Sequence, residues 1–288
     1  MRRYILLIAC SLILQSPVQA FTLSNFSKPE SMIVDPETGF YYVSNINGSP
    51  FEKDGNGFIS KISANGNISI LKFIGDRPEE RLLNAPKGLA IVGSTLYVTD
   101  LDTVKGFDKE TGKPTLLIDF KNRGAKYLND LAVDDYGDLF VSDMMTNHIF
   151  KISLKNDHAI EVFKAGKVLG GPNGLIFNPK SRNLIVVTWQ TGRIMEIETK
   201  SKKVHVLKRG LKTLDGVDYD YDGNLYVSSF DEGKIYRIAR YGRGVLSIFQ
   251  NALMSPADIS CDKRRRELLV PSFKGNTVLT LPLQRSSE

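Results

Sequence analysis

The feature of this sequence that most constrains its fold is a segment that recurs six times. Each copy contains a polar or Pro-led turn, an apolar stretch, an acidic or Asn-containing turn and a run similar to Leu-Tyr-Val-Ser. The copies cover residues 29–45, 86–100, 128–143, 172–188, 214–229 and 256–272, and their second residues lie 57, 42, 44, 42 and 42 positions apart. A period in the low forties with paired strands predicts an all-β chain: a six-bladed β-propeller with four-stranded blades.

Alternating apolar runs after each copy predict the third and fourth strands of the blades, for example at residues 58–62 and 68–73. The last copy leaves room for only three strands, the third of them at residues 276–283. Residues 22–26 are available to supply the missing outer strand. We therefore expect the two termini to meet in the last blade, which would remove an exposed sheet edge.

The first interval is 13 to 15 residues longer than the others, which indicates insertions in the first blade. The candidates are residues 46–57 and 75–85, which contain Gly, Pro and charged residues as loops do. Insertions at one end of a propeller either rim its pocket or reflect tolerated variation in loop length, and the sequence does not separate the two.

The first twenty residues have the pattern of a secretory signal peptide. Arg2 and Arg3 precede an apolar run that ends at residue 14 and is too short to span a bilayer, and small residues precede a cleavage point before Phe21. The alternatives are an uncleaved anchor and a lipidated Cys10. We predict a secreted or periplasmic protein that loses residues 1–20 and keeps residues 21–288 as one propeller domain, without stable membrane insertion.

Charge and cysteine content add little beyond this. The chain has a net charge of +6, which falls to +4 when the two arginines of the predicted signal peptide are removed. The basic residues are spread along the chain, so no nucleic-acid partner is expected. Cys261 would be the one cysteine left after cleavage, so no intramolecular disulfide forms, and we expect it in a buried strand.

One repeat position, just before the innermost strand, holds polar residues that change from blade to blade, and its copies should converge on the central channel. In order these residues are Glu30, Lys87, Asn129, Asn173, Asp215 and Ala257. Two carboxylates and two amide oxygens in register predict a divalent cation site, with Ca²⁺ a better fit than Zn²⁺, which favours His and Cys. Turn preference is the alternative reason for Asn and Asp here, but it does not account for Glu30.

The repeats and this column resemble the SMP-30/gluconolactonase-like six-bladed propellers over essentially all of residues 21–288. In that family a Glu opening the first blade, an Asn in a Pro-Asn-Gly or Ser-Asn-Gly turn and an Asp in a Pro-Asp-Gly turn bind a divalent metal. The matching residues here are Glu30, Asn173 and Asp215. The family's Asn-Asp pair, which faces substrate and metal-bound water, matches Asn129-Asp130, and we include Asn129 among the expected metal ligands.

The chain also departs from the family pattern. Tyr127 stands where sugar-lactone members often have an Arg that grips substrate hydroxyls, and residues 143–147 offer no clear match to an acidic residue that those members use. An aromatic residue in place of a cation predicts a substrate less polar than an aldonolactone. Lys87 is unusual as well: it either orients a carboxylate or ester oxygen, or it balances the charges of Glu30 and Asp215.

The resemblance implies a metal-dependent hydrolase of lactones or related small-molecule esters, in which the metal polarises the carbonyl and a nearby water attacks it. Asp215 would act as ligand and general base, and Asn129 would orient substrate or water. Residues expected in the substrate pocket are Lys87, Tyr127, Asp130, Met144, Trp189 and Phe230. The alternatives are a secreted propeller that binds a ligand or protein without catalysis around a structural cation, and a phosphotriesterase with the same residues.

Overall fold

The computed structural model describes residues 20–76 and 82–284, which form six four-stranded antiparallel sheets arranged in a ring. The prediction of an all-β, six-bladed β-propeller is thereby confirmed. In the first five blades the strands follow one another outward from the central channel in chain order. The predicted signal peptide lies almost wholly outside the described residues, as do residues 77–81 of the second candidate insertion.

The chain enters the ring through a short strand, β1 (Thr22–Leu23), and then builds the first three blades. The strands of blade 1 are β2 (Pro29–Val34), β3 (Tyr41–Asn45), β4 (Phe58–Ile62) and β5 (Ile68–Ile74). Those of blade 2 are β6 (Pro86–Val92), β7 (Thr95–Asp100), β8 (Thr103–Asp108) and β9 (Pro114–Asp119). Those of blade 3 are β10 (Leu128–Val133), β11 (Leu139–Asp143), β12 (His148–Ser153) and β13 (Ala159–Ala165).

The second half of the ring repeats this plan. The strands of blade 4 are β14 (Pro172–Phe177), β15 (Leu184–Thr188), β16 (Ile194–Ile197) and β17 (Val204–Lys208). Those of blade 5 are β18 (Leu214–Tyr219), β19 (Leu225–Ser229), β20 (Lys234–Ile238) and β21 (Leu246–Gln250). Blade 6 uses β22 (Ser260–Asp262), β23 (Glu267–Ser272) and β24 (Thr277–Pro282), and the described chain also has short 3₁₀ helices at Lys121–Arg123 and Lys167–Leu169.

The two ends of the described chain close the ring, as predicted. Strand β1 pairs antiparallel with β24, with Thr22 opposite Leu279 and Leu23 opposite Val278. The backbone N–H of Thr280 also donates to the carbonyl oxygen of Phe21 at 2.9 Å. Blade 6 therefore takes its outermost strand from the start of the chain, which protects the edge of β24.

The hairpins between first and second strands explain part of the recurring acidic pattern. The carboxylate of Asp35 accepts hydrogen bonds from the backbone of Glu37 (3.0 Å) and the hydroxyl of Thr38 (2.7 Å), ahead of Gly39 at a φ of 75°. Asp134 accepts from the backbone of Tyr136 at 2.9 Å in the equivalent turn. These aspartates form turns, in contrast with the column near the channel.

Six apolar clusters fill the six interfaces between neighbouring blades. At one interface the rings of Phe120 (following β9) and Phe150 (β12) lie 5.2 Å apart. The second strands are buried at nearly every position, whereas outer strands such as β5 alternate in exposure. Packing between blades thus leaves the axis free for polar side chains. In the described part of the chain, no helix is long and apolar enough to cross a bilayer.

Candidate functional site

The polar column lies at the start of the innermost strands. Its first five members are the second residues of β2, β6, β10, β14 and β18, and Ala257 precedes β22. In each of those five strands the pairing with the second strand shifts register directly after this position, for example between Pro29 and Met32. The extra residue is a β-bulge, which re-aims the local side chains. The same β-bulge therefore recurs around the ring and directs the side chains of the column toward the axis.

Hydroxyl groups on the second strands donate hydrogen bonds to the backbone of column residues in the next blade. The hydroxyl of Thr99 donates to the carbonyl oxygen of Asn129 at 2.5 Å, and that of Ser142 donates to the carbonyl oxygen of Asn173 at 2.7 Å. Ser228 makes the equivalent bond to Ala257 at 2.7 Å. These bonds are buried, so they fix the backbone of the column residues against the neighbouring blade.

Glycines after the column allow the innermost strands to approach each other closely. A Cβ atom at Gly174 would overlap the carbonyl oxygen of Asp215, and one at Gly216 would overlap the backbone nitrogen of Ile259. The Gly in the Asn-Gly and Asp-Gly motifs therefore has a packing reason, because only glycine lets these backbones come together. The close approach brings Asn173 and Asp215 side by side.

The column opens into a partly open cavity of about 270 Å³. Nine residues that the sequence analysis assigned to the metal site or the pocket line it: Glu30, Lys87, Tyr127, Asn129, Met144, Asn173, Trp189, Asp215 and Phe230. The remaining lining residues are Ile46, Pro50, Phe51, Phe273 and Lys274. The predicted set thus converges on one place, although the roles assigned to its members stay predictions.

Three of the four expected metal ligands each have a buried oxygen without a hydrogen-bond partner: Glu30 Oε2, Asn129 Oδ1 and Asn173 Oδ1. The fourth, Asp215, accepts a hydrogen bond through Oδ1 from the side-chain amide of Asn173 at 3.0 Å. A buried unpaired oxygen costs about 1–3 kcal/mol, and few such atoms persist in a native protein. Hard oxygen donors are the ligands that Ca²⁺ prefers, so this donor set fits a cation of that type.

Within residues 20–76 and 82–284, no group of three or more His, Cys, Asp and Glu side chains could hold a metal ion. The candidate site combines two carboxylates with two amides, so amide oxygens would complete the coordination of a cation there. Zn²⁺ and similar ions prefer His and Cys, and neither residue type lines the cavity. The donor set therefore favours an alkaline-earth cation.

The electrostatics of the column are unfavourable for bare carboxylates. Burial raises the pKa of Glu30 well above its usual value, and the charges of Asp215 and Asp258 raise it further, whereas Lys87 lowers it. Burial and Asp258 likewise raise the pKa of Asp215, against the hydrogen bond from Asn173. Burial lowers the pKa of Lys87 to about 8, with Glu30 opposing the shift. A cation bound between the carboxylates would relieve this repulsion.

Aromatic rings form the cavity walls. The rings of Trp189 and Phe230 lie 5.3 Å apart, and Phe273 lies 5.4 Å from Phe230. On another side the ring of Tyr127 lies 5.0 Å from that of Phe51. Such walls exclude water and favour an apolar or aromatic ligand.

The lining residues that were not predicted from the sequence are Ile46, Pro50, Phe51, Phe273 and Lys274, and the repeats contain a signal for some of them. The residue directly after each second strand is apolar, and five of the six copies line the cavity: Ile46, Met144, Trp189, Phe230 and Phe273. Their backbone N–H groups extend the ladder; that of Trp189, for example, donates to Gly171 at 2.8 Å. If the residues directly after the second strands had been compared across the repeats, Phe273 would have been predicted as a lining residue. Phe51 comes from the insertion at residues 46–57, which does rim the pocket.

The structure places Asp130 elsewhere, which corrects its assignment to the same pocket. Its two carboxylate oxygens accept hydrogen bonds from the backbone N–H groups of Leu131 and Leu175, each at 2.6 Å. Together with Asp218 and Asp258 it lines a second cavity, at the far ends of the innermost strands. Asn129 and Asp130 therefore face different cavities. Cys261 is buried in β22 beside this second cavity, as expected for a strand residue.

The fold has many solved relatives at low sequence identity. Virginiamycin B lyase from Staphylococcus aureus superimposes with a TM-score of 0.67 at 15% identity, over 92% of this chain and 99% of that one. A protein of unknown function from Bacteroides thetaiotaomicron gives a TM-score of 0.68 at 14% identity, over 91% of this chain and 72% of that one. At such identities the likeness concerns the fold alone.

No curated protein sequence matches the chain at a significant level. Residues 65–250 match the family model described as the SMP-30/gluconolactonase/LRE-like region. The matched segment is well over half of the chain and includes Asn129, Asn173 and Asp215, whereas Glu30 precedes it. This chain belongs to the SMP-30/gluconolactonase/LRE-like family.

Proposed function

We propose that this protein is an exported hydrolase of lactones or related esters that uses a divalent cation of the Ca²⁺ type. The observation that carries the proposal is the set of buried, unpaired oxygens of Glu30, Asn129 and Asn173, which face one cavity together with Asp215. Family membership and a partly open, aromatic-walled cavity with room for a small molecule support it.

The residues of the chain have distinct roles in this scheme. A bound cation would supply Lewis acidity toward the substrate carbonyl, and Glu30, Asn129, Asn173 and Asp215 would hold it. Hydrolysis adds water across the acyl C–O bond. Asp215 would take a proton from the attacking water as the new C–O bond forms, and that proton would return to the leaving alkoxide oxygen. Asn129 would orient water or substrate, and the aromatic walls would exclude bulk water.

The test compares the wild-type protein with Asp215→Asn, which keeps the shape of the side chain and removes its charge. Calorimetric titration with Ca²⁺ measures binding, and a panel of lactones and aryl esters measures turnover. We expect wild-type protein to bind one ion and to hydrolyse members of the panel. The Asp215→Asn variant should lose about 100-fold or more in kcat/KM and bind Ca²⁺ more weakly.

Asp157→Asn is the control, because Asp157 is an exposed carboxylate in the turn between β12 and β13 and does not line the cavity. It should leave Ca²⁺ binding and turnover unchanged. If Asp215→Asn retains both, the proposal is wrong. Tight Ca²⁺ binding without turnover of any lactone or ester would instead favour the non-catalytic propeller with a structural cation, and turnover of phosphotriesters alone would favour that reaction.

Export is part of the proposal, and two features support it. The charged and apolar pattern of residues 1–20 fits a signal peptide. The first strand begins at Thr22, and the backbone nitrogen of Phe21 donates to the hydroxyl of Thr280 at 3.1 Å, so cleavage before Phe21 would keep β1. Intact mass measurement of the exported protein should show Phe21 as the first residue. Recovery of the full-length chain, or of a lipid on Cys10, would contradict this.

A further inference from the structure

Lys87 is a buried cation with unused hydrogen-bonding capacity. It is 1% exposed, and as the second residue of β6 it is one of the residues that line the cavity. An ammonium group has three N–H donors. One donates to the carbonyl oxygen of Ala85 at 2.9 Å, and the ring of Tyr127 lies with its centroid 4.3 Å away. Across the described ranges, no carboxylate forms a salt bridge with it.

A buried charge without an ion partner is costly, and proteins retain such groups mainly at functional sites. The remaining N–H groups of Lys87 can be satisfied by a ligand in the cavity. Lys87 occupies the same repeat position as the residues expected to bind the metal, so it lies at the same depth in the channel. A small molecule bound in the cavity would contact Lys87 at that depth. Lys87 can therefore supply a charge-assisted donor to a ligand in the cavity.

The overall charge of the cavity indicates the sign of the charge that a ligand should carry. Its charged lining residues are two carboxylates, Glu30 and Asp215, and two ammonium groups, Lys87 and the exposed Lys274 at the mouth. These charges cancel, so a divalent cation held by the carboxylates would leave the lining residues with an excess of two positive charges. Asp130 and Asp258 act on the column from the second cavity, where burial raises the pKa of both and favours their uncharged forms. An anionic ligand would compensate the excess positive charge of the lining.

The walls define the rest of the ligand. Apart from Lys87 and the four expected metal ligands, the interior surface is formed mainly by aromatic rings and apolar side chains such as Trp189, Phe230, Phe273 and Met144. Among the described residues, the lining offers no second buried cation and no further charged acceptor. A complementary ligand therefore has one anionic group and an apolar or aromatic body.

We propose that Lys87 is a specificity-determining residue and that the substrate is a lactone or ester with a carboxylate-type anionic group on an apolar or aromatic body. The reaction named in this inference rests on the proposed function, whereas the preference for an anionic ligand can be measured without any turnover. If Lys87 only balances Glu30 and Asp215, the cavity will show no such preference.

Trp189 makes the binding test direct, because it is the one tryptophan of the chain and lines the cavity. Its fluorescence is titrated, in Ca²⁺-containing buffer at neutral pH, with phenylacetate and with the uncharged phenylacetamide. Wild-type protein should bind phenylacetate at least about tenfold more tightly, as expected for a charge-assisted hydrogen bond. The Lys87→Met variant should lose this ratio and keep its affinity for phenylacetamide within about twofold.

Two further variants keep the test decisive. Lys87→Arg retains the charge and should retain the preference, which separates loss of charge from loss of folding. Lys126→Met removes an exposed charge beside Tyr127 that does not line the cavity, and it should behave as wild type. Equal binding of the two probes by wild-type protein, or an unchanged ratio in Lys87→Met, would overturn the inference.

Kinetics then separate this inference from the proposed function. A carboxy-substituted aryl ester and its neutral methyl-ester analogue are compared as substrates. Lys87→Met should raise KM about tenfold for the acid alone. Selective binding of phenylacetate without turnover of either ester would support the anionic ligand class and contradict the hydrolase. Turnover of both esters that is equally insensitive to Lys87→Met would support the hydrolase and overturn the role of Lys87.

Discussion

Asp258 provides a test of the electrostatics of the channel. It is buried, and the hydroxyl of Ser31 donates to its Oδ2 at 2.6 Å. A parallel bridge joins the same two residues across the junction of the first and last blades. Burial raises the pKa of Asp258 to about 7, although the bond from Ser31 opposes the shift, and the charge of Asp218 adds to it. Ionising Asp258 in the folded protein is therefore costly.

The free-energy cost of ionising Asp258 in the folded protein follows from its pKa. A rise from 3.8 to about 7 corresponds to at most about 4 kcal/mol of stability. Since the folded-state pKa exceeds the unfolded-state pKa, the stabilising contribution of the protonated group is complete below about pH 4 and is lost as pH rises through about 7. Asp258→Asn cannot ionise. Its stability relative to wild type should therefore increase by up to about 4 kcal/mol between pH 4 and pH 8.

Equilibrium unfolding in guanidinium chloride at several pH values measures this difference. EDTA is included to remove divalent cations, because a bound cation would favour the ionised forms of the neighbouring carboxyl groups. The control is Asp157→Asn, which removes an exposed carboxylate from a turn and should show no pH-dependent gain. If Asp258→Asn becomes less stable relative to wild type as pH rises, the ionised carboxylate is stabilised in the fold and the reasoning is refuted.

Two further predictions concern packing and thiol chemistry. Gly216→Ala should lower the free energy of unfolding by about 2–3 kcal/mol, because the added Cβ overlaps the backbone of Ile259. The control is Gly93→Ala, where the added Cβ meets no atom but the φ of 60° is unfavourable for alanine. This control should lower the free energy of unfolding by about 1 kcal/mol in the same denaturant assay. Equal losses would argue against the close approach of the strands. Burial raises the pKa of the Cys261 thiol, so a disulfide reagent should label folded protein at least about 100-fold more slowly than unfolded protein. Comparable rates would show that the second cavity admits the reagent.

Much of the fold could be predicted because its information is local and repeated. The predicted third strands at residues 58–62 and 234–238 coincide with β4 and β20. Strand alternation and turn residues act over a few positions, and six copies of the same pattern make the period visible. The closure of blade 6 also followed, since the last copy lacked one strand and Thr22–Leu23 remained unassigned.

Part of the candidate site was predictable for a related reason. Equivalent positions of a propeller repeat lie at equivalent depth, so the residues of the column had to meet at the axis. Asp130 shows where this reasoning stops. Asn129 and Asp130 are neighbours in the sequence, yet the bulge in β10 and the backbone donors of Leu131 and Leu175 direct Asp130 toward the other cavity. Side-chain direction at a bulge depends on contacts from the next blade.

The number of blades, the pairing of the termini and the set of polar residues that meet at the channel could be predicted from the sequence, because these depend on period and register. The composition of the cavity wall depends on the three-dimensional arrangement of the blades. That arrangement brought Phe51 from an insertion and Phe273 from the last blade to the same cavity, and within the described ranges it left Lys87 without a salt bridge to a carboxylate. The physical reason is that ring closure brings together residues far apart in the chain, and hydrogen-bond satisfaction and burial emerge only from those long-range contacts.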